Sequence, residues 1–79
     1  MFELTLEQLE QVQSERLSHL VTLAGNDKHL AKMLGVPVVT ARGWIGRGRI
    51  SRRGAELVEQ HPVLSEHYGA QDLRPDLSF

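Results

Sequence analysis

The spacing of Ala31, Gly35 and Trp44 constrains the fold of this chain more than any other feature. Leu30, Ala31 and Leu34 recur at helical intervals before Gly35 interrupts them. A small residue at 31 lets a second helix cross close by. Gly35 suits the left-handed backbone that ends a helix and turns the chain. Val36 tucks beneath the turn. Pro37 has no backbone N–H to leave unpaired, so it belongs in the first turn of the next helix. Ala41, Trp44 and Ile45 then form the inward side of that helix, over about Pro37 to Ile45. The segment 27–46 therefore predicts a helix-turn-helix.

The flanking segments also read as helices divided by glycine and proline. Thr5-Leu6-Glu7-Gln8 has capping-box spacing. Leu6, Leu9, Val12, Leu17, Leu20, Val21 and Leu23 follow a helical period with a drift near Gln13-Ser14, giving one helix or two within 5–24. Gly25-Asn26 is a stop, and Asp27 is the expected cap of a helix from about Lys28 to Leu34. Gly46-Arg47-Gly48-Arg49 reads as a turn. Ser51 caps a fourth helix from about Arg52 to Gln60, within 51–60, which His61-Pro62 ends. Val63 to Tyr68 form a further turn or two. The tail 69–79 is less regular, because Arg74-Pro75 opposes a continuous helix. The expected fold is an all-α bundle of four to five short helices in one domain spanning 1–79.

Charge is strongly segregated. Lys28, Lys32, Arg42, Arg47, Arg49, Arg52 and Arg53 form a block of seven cations without an acid. The flanks 1–27 and 54–79 each carry a net −4, leaving −1 for all 79 residues. Such a block inside a near-neutral chain points to a polyanion, although a basic run alone is often only a solvated face. The acidic flanks are either solvated helix faces or a means of confining contact to one side.

Several function classes are disfavoured. There is no cysteine, so disulfides, Cys-ligated zinc and thiol catalysis are excluded. His19, His29, His61 and His67 lack metal-ligand spacing. The glycines from 43 to 48 lack the Lys-Ser/Thr of a phosphate loop. Ser14, Ser18 and His19 make no nucleophile–base pair, and no catalytic constellation stands out. No cofactor is expected. No apolar run approaches the ~20 residues of a membrane span, and residues 1–7 do not resemble a signal peptide, so a cytoplasmic, membrane-free protein is expected.

In a helix-turn-helix the second helix enters the DNA major groove. Its outward side here holds Val38, Val39, Arg42 and Gly43, with Thr40 near the edge. Arg42 is suited to bidentate contact with guanine O6 and N7, and the valines to thymine methyls. Thr40 suits a base or a phosphate. Gly43 either permits close approach or is tolerated on an exposed face. Lys28, Arg47, Arg49, Arg52 and Arg53 suit phosphates, joined by Ser51 and the amides at its helix N-terminus. Trp44 is expected in the core rather than as a stacking platform.

Over about Leu20 to Leu77 the chain resembles the Cro-like and YdaS-like helix-turn-helix regulators of phages and prophages. The resemblance rests on Leu30-Ala31-Lys32-Met33-Leu34-Gly35-Val36, on the stretch from Gly43 to Ser51, on Gly54-Ala55-Glu56-Leu57-Val58-Glu59, and on Asp72-Leu73-Arg74-Pro75-Asp76-Leu77. It implies an all-helical domain, like those of lambda repressor and Cro, that binds operator DNA as a homodimer and represses or tunes a promoter. By position, Val38, Val39 and Arg42 fall where that family reads bases. The chain departs from the family pattern at Ala41, usually a larger β-branched residue, and at Pro37-Val38-Val39, usually polar. Two other readings stand beside it: an antitoxin-type autoregulator with a protein partner, and a protein-interaction module such as a small phage inhibitor. The apolar tail residues Leu73, Leu77 and Phe79 suit a docked arm, a dimer seam or a tail packed on its own core.

Overall fold

The computed structural model describes residues 4–79; Glu3 of the acidic flank and the first three residues of the signal-peptide reading lie outside them. The chain is all-helical: α1 Leu6–Ala24, α2 Asp27–Leu34, α3 Val38–Arg47, α4 Arg52–Gln60 and α5 Ala70–Leu73, with a 3-10 turn at Leu64–Glu66. Among the described residues no helix is long and apolar enough to cross a membrane.

The first helix is continuous. Its capping box forms as expected: Gln8 N donates to Thr5 Oγ1 at 3.2 Å, and Thr5 N donates to Gln8 Oε1 at 2.9 Å. The drift near Gln13 has a simple origin. The buried stripe runs Gln13, Leu17, Leu20, so a polar residue occupies its first position while Leu6 lies outside it, 73% exposed. Gly25 then ends α1, its amide donating to Val21 and Thr22 carbonyls.

Asn26, not Asp27, caps α2. The Asn26 backbone is extended and its Oδ1 accepts from His29 N at 2.8 Å. Asp27 is instead the first helical residue, where an anion near the helix N-terminus is favoured. Gly35 ends α2 at φ 70°, ψ 31°, a left-handed conformation that costs a residue with a Cβ roughly 1 kcal/mol or more. Pro37 is the N-cap of α3 rather than its first residue. The third helix also runs two residues further than expected, so Gly46 and Arg47 are helical and the turn begins at Gly48.

Ser51 caps α4, accepting from Gly54 N at 2.9 Å. The core holds Leu17, Leu20, Leu30, Leu34, Ala41, Trp44, Ile50, Val58, Leu64 and Leu73 together with small residues at 31, 55 and 70. Leu73 is 1% exposed, so this part of the tail packs on its own chain. Leu77 is half-buried and Phe79 exposed. His19 and Tyr68 tie α1 to the segment before α5 through a 2.6 Å contact between Nδ1 and Oη and an edge-to-face ring arrangement.

Arg74 fastens the tail. Its side chain is 11% exposed, donates to the Ile50 carbonyl at 3.0 Å, and meets Asp76 through two bonds of 2.9 and 2.8 Å. Arg74 holds the Asp76 carboxyl below its ordinary 3.8, against partial desolvation. A depressed carboxyl contributes stability that is complete above the unfolded value and is lost as pH falls through the folded one. Asp76→Asn should therefore lower the melting temperature at neutral pH, with the gap from wild type closing below pH 3.8. A gap independent of pH would show that the pair contributes nothing through ionisation.

Candidate nucleic-acid interface

The α2–turn–α3 unit presents one side of α3 to solvent. Ala41 and Trp44 point into the core at 0% and 2% exposure. The opposite stripe, at helical intervals, is Val39, Arg42, Gly43 and Gly46. Val39 is 73% exposed and Arg42 and Gly46 are exposed, while Gly43 is half-buried. Sequence alone puts Gly46 in a turn, Gly46-Arg47-Gly48-Arg49, whereas α3 continues through it. The signal that places it is position: 46 follows 39, 42 and 43 by steps of seven, four and three.

Two orientations differ from expectation. Val38, expected outward, is half-buried and packs against the core, because α3 begins at 38 and its first turn rests on the bundle. Ile45, expected inward, is 41% exposed, because the core side of α3 is narrow and centred on Ala41 and Trp44. Thr40 is half-buried at the edge.

The face offers little side-chain bulk besides Val39 and Arg42. A Cβ on Gly46 would meet nothing within 4 Å, so the backbone there is open to close approach. Gly43 differs: the Arg47 guanidinium lies across it, with Nη1 3.2 Å from where a Cβ would stand. Absence of a side chain at 43 thus gives Arg47 its place along the helix, beside the stripe.

The basic block divides by what each cation already touches. Arg42 Nε bonds Asp27 Oδ2 at 2.7 Å. Arg52 donates to the Ser78 carbonyl and lies 5.0 Å from the centre of the Phe79 ring, so the tail engages it. Arg53 faces Glu56 at 3.9 Å, a loose surface pair worth little. Among the described residues Lys28, Lys32, Arg47 and Arg49 form no ion pair. Arg47 and Arg49 line an open cleft of about 530 Å³ whose other wall is α1, with Glu7, Glu10, Gln11, Gln13 and Ser14. The expected phosphate set therefore separates: Lys28, Arg47 and Arg49 are available, Arg52 and Arg53 are partly engaged, and the Ser51 oxygen is occupied as a helix cap. Lys32, not singled out as a site residue, is exposed on α2 and joins the available set.

No family model, curated protein or solved structure matches this chain.

Proposed function

We propose that this chain is a duplex-DNA-binding transcriptional regulator that acts as a homodimer, in the manner of the Cro-like and YdaS-like proteins it resembles, and represses by occupying a promoter. The observation that carries the reading is the exposed Val39, Arg42 and Gly46 on one side of α3, with Arg47 laid across Gly43 between them and with Lys28 and Lys32, free of ion pairs among the described residues, on the preceding helix. Arg42 is the base-reading cation and Val39 the apolar reader, with Thr40 and Val38 at the edge. Lys28, Lys32, Arg47 and Arg49 are the phosphate contacts, and Arg52 and Arg53 join them where DNA displaces their present partners.

The direct test is titration of mixed-sequence duplex DNA at several salt concentrations. Each neutralised phosphate adds about −0.9 to the slope of log affinity against log salt, so four cations give roughly −3.6 per protomer. Replacing Arg47 and Arg49 together by Ala should reduce that slope by about 1.8 and weaken all sequences alike. Binding that ignores salt would reject the proposal. Selection of bound sequences from random duplex then tests the dimer, which requires palindromic half-sites about one helical turn apart.

A protein partner, as in the antitoxin or interaction-module readings, is favoured by a separate feature. A groove of about 300 Å³ runs between α1 and the end of α3, lined by Leu17, Val21 and Ile45 together with the hydroxyl residues Ser14, Ser18 and Thr22. Partner capture that survives removal of Arg47 and Arg49 would favour that reading over DNA.

A further inference from the structure

We infer that Asp27 is a positioning residue for base recognition, holding the Arg42 guanidinium so that its terminal edge faces the DNA. The inference rests on the DNA-reading role of Arg42 and adds a residue to it. Asp27 lies fifteen positions before Arg42, at the start of the motif in sequence. The fold brings them together because α2 and α3 pack against each other, so that the Arg42 side chain reaches the start of α2.

Four observations support the assignment. Asn26 already caps α2, so the Asp27 carboxylate is not needed for that purpose. Both of its oxygens are nonetheless bound: Oδ1 accepts from Lys28 N at 2.8 Å, and Oδ2 from Arg42 Nε at 2.7 Å. The carboxylate is thus fixed to the backbone at one end and to the guanidinium at the other. Contact is made through Nε alone, and among the described residues no acceptor takes the Nη1 and Nη2 edge. That edge is the one that pairs bidentately with guanine O6 and N7. The Arg42 side chain remains 55% exposed, so it is oriented without being buried.

The carboxylate also suits the N-terminus of α2, but that role does not require its contact with Arg42. An exposed ion pair contributes little to folding, and a carboxylate near DNA repels phosphate. Orientation has a different value. A free arginine must give up several rotatable bonds to meet a base, and a side chain held in advance gives up fewer. The pair therefore favours selectivity at one base pair at some expense in general affinity.

The experiment compares wild type, Asp27→Asn, Arg42→Ala and the double variant by sequence selection and by titration of selected and mixed duplexes. Wild type should prefer one base at the Arg42 position by roughly 5- to 150-fold. Arg42→Ala should abolish that preference. Asp27→Asn should reduce it at least about threefold at that same pair, while affinity for mixed duplex stays level or rises because a negative charge is gone. In the Arg42→Ala background, Asp27→Asn should leave the base profile unchanged. A merely structural residue would instead lower affinity for all sequences together. The inference is overturned if Asp27→Asn leaves the preference intact, weakens every sequence alike, or alters a different base pair, the last showing that Asp27 itself contacts a base. If Arg42→Ala leaves every preference intact while salt-dependent binding persists, the role of Arg42 and this inference fail together but DNA binding stands. If wild type does not bind duplex at all, the proposed function falls and takes this inference with it.

Discussion

Trp44→Ala is expected to remove a large part of the stability of this domain, by about 3–5 kcal/mol. The indole is 2% exposed and lies between α3 and the start of α4. Alanine would lose its buried apolar surface and leave a cavity that rigid helices cannot close. A chain of 79 residues has a total stability of roughly 4–12 kcal/mol at ordinary values per residue. The loss is thus comparable with the whole at the lower end. The melting temperature should drop by roughly 12–40 °C, read by far-ultraviolet circular dichroism. Urea denaturation should give the same loss with an unchanged slope. A change under about 1 kcal/mol would mean that Trp44 is not in the core.

The second large effect is at Gly54, where two opposing contributions decide the sign. Gly54 is buried in the first turn of α4 with no unusual backbone angle. A helical Gly→Ala change alone gains up to ~1 kcal/mol. Here a Cβ would lie 2.7 Å from Ile50 Cγ1 and from Trp44 Cη2 and Cζ2. Those atoms belong to a packed aliphatic chain and an aromatic ring, both enclosed by the core. Overpacking of this kind costs about 1–3 kcal/mol, so Gly54→Ala should destabilise on balance, and Gly54→Val by more. Trp44, the only tryptophan, reports the shift directly through its fluorescence. Gly46→Ala is the control. With nothing within 4 Å of the new methyl group, it should leave stability level or raise it by up to ~1 kcal/mol. Finding the two alanine variants equally stable would refute the contact between α4 and Trp44.

The same contact marks how far the sequence could be read. The inward place of Trp44 followed from its spacing after Ala31 and Gly35, and so did the left-handed end of α2. The Ser51 cap and the α4 span also follow from local chemistry, because a cap and the helix it starts are neighbours in sequence. Gly54 showed no such signal. Its requirement comes from Trp44 and Ile50, and the ten residues back to Trp44 span a turn whose path is tertiary. Asn26 and Asp27 have similar capping chemistry, so the sequence alone points to Asp27 as the cap of α2, and only the backbone shows that it is Asn26.

For the candidate interface the division is similar. The sequence by itself determined an all-helical chain, the position of the helix-turn-helix and the cationic composition of its surroundings. These follow from periodicity, glycine and proline backbone limits and charge counting, all local properties. The tertiary structure decided which cations remain available. It paired Arg42 with Asp27, fifteen residues away, and Arg52 with Ser78, twenty-six residues away, and left Lys28, Lys32, Arg47 and Arg49 without ion pairs among the described residues. It also turned Val38 toward the core and Gly46 outward. Partners far apart in sequence meet only when the helices pack, so charge composition could mark the basic region but not the hydrogen bonds within it.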